Sequence, residues 1–406
     1  MIDIRDLREH PEVYKDSARK RGITVDIDEV LKLDTKRVKL LGEVESLRAK
    51  LNVKGKPTGS ELKQLQQAKD GLGKLESELT ELDSKLQDGL FNIPNLVADD
   101  TPQGGEDDKR EEKKWGEPKK EGKDHLTVAE ANDWIDFERG AKVAGNKFYY
   151  LKGPVVRLEL AVMQLVSRQL EMEGFTLMAT PHLVNNRIFE GTGFQPRGEE
   201  EQAYSIEGED LKLIGTAEIA LTGYYADEII DPSKLPLAYA ALTPSYRKEA
   251  GAYGKHSKGL YRVHQFDKLE MYIFCDPAES EKWHQRLLEI EEKICQTLEI
   301  PYRVVRIAAG DLGAPAYKKY DIEYWSPADG EYRELTSCSN CTDFQARRLN
   351  IRTRDKDGKT QFVHTLNGTA VAYSRVLIAM LENHQTKDGK IQIPTALQQY
   401  YGGSEL

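Results

Sequence analysis

The 406-residue chain is poor in cysteine, with four in all, and it carries 58 Lys and Arg against 68 Asp and Glu. Four thiols, at Cys275, Cys295, Cys338 and Cys341, are too few for a disulfide scaffold in a chain this long. Cys338 and Cys341 form one CxxC, but a structural zinc site needs four ligands, and no second cysteine pair or nearby histidine pair completes it. No apolar run approaches the ~18 residues of a membrane span, and the charged opening MIDIRDLREHPE lacks the apolar centre of a secretion signal. A cytoplasmic protein with no membrane partner is therefore expected. GxGxxG and GxxxxGK[ST] are both missing, which excludes two glycine-rich phosphate loops. The formal charge of −10 argues against a basic nucleic-acid coat, although it leaves room for a locally basic surface.

What the chain does have begins with leucine periodicity. Leu33, Leu40 and Leu47 recur every seven residues, with Val30, Val44 and Leu51 at companion positions and Arg37 as the one interruption. After the breakers Gly55, Pro57 and Gly59 a second seam runs through Leu65, Leu72, Leu79 and Leu86, with Ala68, Leu75 and Leu82 beside it. Two such seams joined by a tight turn predict an antiparallel helical hairpin over about 26–90, each helix ~40 Å long, projecting as an arm. Lys32, Lys36, Arg37, Lys39, Arg48, Lys50, Lys54 and Lys56 crowd its first helix and tip, opposed there by Asp34, Glu43 and Glu45. The strip reads either as a solvated coiled-coil face or as a grip on a nucleic-acid backbone.

Residues 92–123, dense in Pro, Gly and mixed charge, read as a linker with nothing to bury, with a boundary near 105–120. Beyond it, irregularly alternating helical and β-rich runs fit an α+β body built on an antiparallel sheet. Its most informative stretch spans 242–274, a strand ending at Arg247 and Glu249, a loop with Gly251, Gly254 and Gly259, and a return strand. In that strand Arg262, His264, Phe266, Lys268 and Glu270 share one parity and Val263, Leu269, Met271 and Ile273 the other, so one face is polar and the opposite face is core. A guanidinium for phosphate, a flat ring for a base and a carboxylate for an amine suit a nucleotide-dependent site.

Here the wording resembles a known family. Arg247-x-Glu249, the loop and HQFDKLE are similar to motif 2 of the class II aminoacyl-tRNA synthetases, and most closely to the seryl-tRNA synthetases. LMATPHLVN, with Pro181, resembles the dimer-forming motif 1. IGTAEIAL holds Thr216, Ala217 and Glu218, which resemble the serine-binding loop. ELTSCSNCTDFQARR resembles the metal and ATP segment, and LNGTAVAYSRVLIAMLENHQ resembles motif 3. The fold implied is an N-terminal coiled-coil hairpin domain, residues 1–105, and a class II catalytic domain, residues 106–406, built on an antiparallel β-sheet flanked by helices.

The resemblance also implies roles. Arg247, Glu249 and Arg375 would carry catalysis, Arg247 on the α-phosphate and Arg375 on the γ-phosphate of ATP. Lys248, Arg262, Val263, Phe266, Glu334, Leu335, Thr336 and Ser337 would complete the ATP site, with Phe266 stacking on adenine and Glu334 and Ser337 as Mg²⁺ ligands. For serine, Glu218 and Glu270 are the candidate partners of the ammonium, and Thr216, Asn367 and Thr369 of the hydroxyl, with Ala217 and Arg247 beside them. Lys36, Arg37, Arg48, Lys50, Lys54 and Lys56 are the candidates for tRNA. The activity implied is ATP-dependent attachment of L-serine to tRNA(Ser), and to tRNA(Sec) where that exists, through a seryl-adenylate, by a homodimer. His264, His182 and His364 are read as structural. Ala370 and Ser374 stand where motif 3 often has glycine, which marks the local backbone there as the place to look for a departure.

Overall fold

A computed structural model describes residues 2–52, 59–194, 203–249 and 259–406, and only the backbone of residues 60–64. Lys54, Gly55, Lys56, Pro57, Gly251 and Gly254 lie outside the described residues. The chain divides into two compact units, Met1–Leu96 and Val97–Leu406.

In the first unit α1 (Ile4–Glu9) and α2 (Pro11–Lys20) precede the long helices α3 (Ile27–Leu51) and α4 (Gly59–Asn92). Asp26 caps α3, its carboxylate accepting from the Glu29 N–H at 2.9 Å, which satisfies one of the amides that a helix start leaves open. Val30, Leu40 and Val44 of α3 and Leu86 and Leu90 of α4 are buried along the seam. At 1.5 Å per residue α4 is about 50 Å long, two turns more than the heptads suggested. The interruption at Arg37 has a structural explanation: its guanidinium pairs with Asp83 of α4. Arg48 pairs with Glu76 at 2.7 Å further along, so the two bonds hold the helices in antiparallel register. At the base Arg8 forks onto the buried Asp34, its Nη2 donating to Oδ1 at 2.9 Å.

The second unit is built on an eight-stranded sheet. In spatial order it runs β1 (Arg110–Trp115), β9 (Tyr302–Arg306), β10 (Lys318–Ser326), β11 (Glu331–Asn340), β14 (His364–Ala372), β8 (Gln265–Cys275), β7 (Leu237–Tyr246) and β4 (Thr176–Met178). Every neighbouring pair is antiparallel except β4 with β7. Two-stranded ladders pair β2 (Ile135–Asp136) with β3 (Tyr150–Leu151), β5 (Leu183–Asn185) with β6 (Leu211–Leu213), and β12 (Arg352–Arg354) with β13 (Thr360–Phe362). The main helices are α7 (Pro154–Met172), α9 (Ala217–Gly223), α10 (Ser280–Thr297), α11 (Phe344–Leu349) and α12 (Tyr373–Asn383). Shorter ones are α5 (His125–Ala131), α6 (Phe137–Ala144), α8 (Asn186–Gly191) and α13 (Thr395–Tyr401).

The two-residue period of β8 sorts the sheet's faces. Leu269, Met271, Ile273 and Cys275 enter a large core with α7, α10 and α12. Tyr272 and Phe274 enter a smaller one with α9 and α11. Phe266, Lys268 and Glu270 share the second face, so polar and apolar sides divide as the alternation requires, and the polar side turns aromatic toward the strand's end.

The reading of residues 92–123 as a linker is corrected. Val97 and Ala98 are buried, Val97 in a small core with Val305 and Leu312, and Arg110–Trp115 is the sheet's edge strand, paired with β9. REEKKW shows no apolar alternation because all six residues are exposed, and charged side chains are what an edge strand uses to discourage further pairing.

Two β-bulges shape the functional face. In β11 the register passes from Glu334, opposite Glu323, to Thr336, opposite Ile322, leaving Leu335 as the extra residue. In β14 it passes from Thr369, opposite Glu270, to Val371, opposite Leu269, leaving Ala370 extra. Each bulge puts residues three apart on one face: Glu334 with Ser337, and Thr369 with Ala372.

Candidate active site

On that face a cavity of about 610 Å³, including its open mouth, is lined by the residues just after β7 and just before β8, and by side chains of β8, β11, β14 and the start of α12. It gathers Arg247, Glu249, Arg262, Val263, Phe266, Glu334, Leu335, Thr336, Ser337, Thr369 and Arg375. Of the candidate ATP residues, Lys248 alone stays outside: its Nζ lies 6.0 Å from the Tyr204 ring centroid.

The guanidinium of Arg247 lies between two rings, 5.3 Å from the centroid of Phe266 and 5.6 Å from that of Phe194, and its Nε donates to the Gly215 carbonyl at 3.2 Å. Gly215 permits this, since a Cβ there would come within 2.8 Å of the Phe194 ring. Burial lowers the pKa of Arg247 from its usual value, with Arg375 adding to the effect and Glu249 opposing it. His264 serves the same residue: its Nδ1 lies 2.9 Å from the Arg247 carbonyl, an acceptor only, so that nitrogen carries the proton. The imidazole is thus spent on holding a strand end, in keeping with a structural role. Glu249, three residues past the end of β7, has φ +46°, a backbone region costly for a non-glycine residue, and accepts from Arg262 Nη1 at 3.2 Å.

On the facing side Arg375, third residue of α12, pairs with Glu334 at 2.8 Å. Burial works against the charge on each, but each partner overcomes it. Arg375 is held above its usual range, while Arg375, Lys319 and Arg247 together hold the Glu334 carboxyl down at about 2. Tyr261, which the sequence reading missed, has the guanidinium groups of Arg375 and Arg333 5.7 and 5.8 Å from its ring centroid and donates its hydroxyl to the Glu334 carbonyl at 3.2 Å.

Among the described residues no group of three or more His, Cys, Asp or Glu side chains is placed to hold a metal, and the four cysteines are buried free thiols. An ion such as Mg²⁺ asks less of the protein, because it keeps several waters and takes phosphate oxygens as ligands. The donor set fits: an always-ionised carboxylate and a hydroxyl, Glu334 and Ser337, side by side on one face through the Leu335 bulge.

A second cluster adjoins the cavity on the same sheet face. Thr216 caps α9, its Oγ1 accepting from the Glu218 N–H at 3.4 Å, while Ala217 is fully buried behind it. Glu218 Oε1 accepts from Gln345 Nε2 at 2.7 Å and Asn367 Nδ2 at 2.9 Å. Burial and the nearby Glu270 raise its carboxyl to about 7. Glu270 pairs with Lys268 and accepts weakly from Thr369 Oγ1 at 3.4 Å. Gln345 and Lys268 were missed as functional candidates; Gln345 lay within the segment that resembles the metal and ATP motif, with no role of its own. Gly368, between Asn367 and Thr369, has Glu291 Oε1 3.0 Å and Met271 Cε 3.1 Å from where a Cβ would stand, so any larger residue would push those two side chains aside by a few tenths of an ångström. Of the two small residues of motif 3, Ala370 is the bulge residue and Ser374 lines the cavity.

In the hairpin a groove is lined by Leu33, Leu40, Leu75 and Leu82, with Lys36, Lys39 and Lys85 alternating with Glu43, Glu78 and Glu81. Arg37 and Arg48, candidates for tRNA, pair with Asp83 and Glu76 of α4. Lys36 lines the groove and Lys50 is exposed, while Lys54 and Lys56 lie outside the described residues.

An antiparallel sheet carrying an arginine-clamped cavity at the head of a helix defines the core of a class II aminoacyl-tRNA synthetase. Residues 202–384 match the family described as the tRNA synthetase class II core domain (G, H, P, S and T), and residues 1–97 match the seryl-tRNA synthetase N-terminal domain. The chain belongs to the seryl-tRNA synthetase family. It is 50% identical over its whole length to 99% of a serine–tRNA ligase of Dictyoglomus turgidum, and 46% identical over 99% of its length to 98% of one from Rubrobacter xylanophilus. Its fold superposes with a TM-score of 0.93 on the seryl-tRNA synthetase of Pyrococcus horikoshii complexed with ATP, at 40% identity over all of this chain and 99% of that one.

Proposed function

We propose that this chain attaches L-serine to tRNA(Ser), and to tRNA(Sec) where the cell makes it, through a seryl-adenylate. One observation supports this above the others: the arginine-clamped cavity and the Thr216–Glu218–Glu270–Thr369 cluster share one sheet face, so a nucleotide and an amino acid would meet between them. ATP would enter with its α-phosphate on Arg247, its γ-phosphate on Arg375 and its base on the Phe266 ring that Arg247 now covers. The serine carboxylate attacks the α-phosphorus, an O–P bond forms, and the bond to the departing pyrophosphate breaks. A terminal hydroxyl of tRNA then attacks the acyl carbon and releases AMP. The protein's contribution to the first step is position and charge, since Arg247 and Arg375 both line the cavity before substrate arrives. Glu334 and Ser337 would hold Mg²⁺, which when bound supplies positive charge to the phosphate oxygens.

A site that hydrogen-bonds the serine hydroxyl through Thr369 or Asn367 would reject alanine by leaving buried polar groups unpaired. The first unit, placed at 1–105 from the sequence, would hold tRNA, with the catalytic part following. The exposed apolar side chains of Val156, Leu160 and Met172 on α7, with Leu177 on β4 and Leu242 on β7, support pairing of two such subunits. No described helix is long and apolar enough to cross a membrane.

Pyrophosphate exchange across the twenty amino acids tests the reading. Serine alone should support exchange, and exchange with another amino acid, or with none, overturns it. Sedimentation of the active protein as a monomer would overturn the pairing.

A further inference from the structure

The short turn Gly259–Tyr261 leads directly into Arg262 and Val263, and Tyr261, Arg262 and Val263 all line the ATP cavity. Wherever this turn sits, three consecutive residues of the cavity wall follow. It is held from outside the sheet. His125, the first residue of α5, is 7% exposed, and its Nε2 accepts from the N–H of the fully buried Leu260 at 3.4 Å. Gly259 has φ +62°, and a Cβ there would run into the same nitrogen, so the turn meets the imidazole with backbone alone.

The imidazole is itself oriented. Glu382 Oε1 lies 3.1 Å from His125 Nδ1 and accepts from the His125 backbone N–H at 3.3 Å, while Ser326 Oγ donates to Oε2 at 2.6 Å. A carboxylate only accepts, so Nδ1 carries the proton and Nε2 is left as the acceptor that Leu260 uses. Ser326 donates to the carboxylate rather than to the ring, so the trio is not a nucleophile with its base.

Glu382 stands in the last turn of α12, the helix whose third residue is Arg375. Tyr261 closes the circuit, with its ring centroid 5.7 Å from the Arg375 guanidinium and its hydroxyl on the Glu334 carbonyl. One helix therefore reaches the turn twice, through Glu382 and His125 from its end and through Arg375 and Tyr261 from its start.

We propose that His125 is a positioning residue for the ATP site. With its ring fixed by Glu382, it sets the turn against α12 and thereby the places of Tyr261, Arg262 and Val263. The inference rests on the reading of the cavity as an ATP site, and it adds a residue that lies ahead of the matched core, 202–384. Among the described residues, the hydrogen bonds that join Thr216, Glu218, Glu270, Asn367 and Thr369 do not involve the turn. The effect of His125 therefore falls on ATP and spares serine.

The test uses the full chain with His125→Asn and His125→Gln. Glutamine carries its amide oxygen at about the reach of Nε2, whereas the shorter asparagine can satisfy Glu382 and leaves the Leu260 N–H without its acceptor. Calorimetric titration with ATP and Mg²⁺, in the absence of serine, should show affinity about tenfold lower in His125→Asn, the scale of one buried N–H left unpaired, and within about threefold of the unaltered chain in His125→Gln. In pyrophosphate exchange KM for ATP should follow the same order while KM for serine stays within about twofold. Equal ATP affinity in the two variants, or KM for serine rising along with that for ATP, overturns the proposal. If His125→Asn does not fold, Gly259→Ala decides, because it crowds Nε2 from the turn. Its ATP affinity should fall about tenfold with KM for serine spared, and any other pattern refutes the contact. An unaltered chain that binds no ATP would sink the ATP reading itself, an outcome distinct from either.

Discussion

The two units use the same chemical pair, arginine with carboxylate, to opposite ends. In the hairpin Arg37–Asp83 and Arg48–Glu76 cross between helices with both partners a third or more exposed, where such pairs are worth about 0–1 kcal/mol and serve mainly register. In the catalytic unit Arg375 is 21% exposed and its partner Glu334 39%, so this pair differs from those of the hairpin less in burial than in position: both side chains line a cavity and open toward the space a substrate would fill. A basic residue in this sequence therefore takes its meaning from what faces it. The arginines of the hairpin bridge its two helices, whereas Arg247 and Arg375 on the sheet line a cavity.

The sharpest way to break this contrast is to remove one arginine from each unit. Arg375→Ala should lower serine-dependent pyrophosphate exchange about 10³-fold, the scale of losing one preorganised charge-stabilising donor. Arg37→Ala should leave exchange within about twofold, because an exposed pair contributes so little. Comparable losses would erase the distinction. Replacing Lys36 and Lys39 together by Glu should reduce tRNA charging about tenfold or more, steeply dependent on salt, with exchange untouched, since two contacts to phosphate would become repulsive. If charging is unchanged, the groove is not the tRNA face.

Burial also predicts a pH signature that the exposed hairpin lacks. Glu218 ionises at about 7, so kcat/KM for serine should rise as pH increases through 7, and Glu218→Gln should flatten that rise. The variant should match the unaltered enzyme near pH 6 and fall about tenfold below it by pH 8. A profile that keeps its slope would remove Glu218 from the serine site. The smallest effect concerns Glu159 on α7, which burial and Asp267 raise to about 8. The folded chain keeps that proton where the unfolded chain has lost it, so this group's contribution to stability falls as pH rises from the usual glutamate range to 8. Glu159→Gln cannot titrate, and its melting temperature should exceed that of the unaltered chain by about 2 °C above pH 8, with no gain at pH 5.

Much of this was legible in the residues. Leucine heptads disclosed the hairpin, and the parity of Phe266, Lys268 and Glu270 disclosed a polar sheet face. What stayed hidden has physical reasons. REEKKW is a strand without apolar alternation because it lies at an edge with every side chain exposed. That Arg37 pairs with Asp83, 46 residues away, shows only once the helices fold back. Gln345 and Tyr261 act through the elements that bring them to Glu218 and Arg375, which no local pattern records.

The bulges at Leu335 and Ala370 make the site depend on counting. Each strand carries one residue beyond what its pairing consumes, and that surplus decides which way everything downstream points. Were Leu335 paired in turn, with no bulge to absorb it, every later residue of β11 would slip by one partner and Ser337 would turn from Glu334's side of the sheet to the other. The site therefore rests on the pairing of β11 as much as on its side chains: a change of register would part Glu334 from Ser337 without removing either.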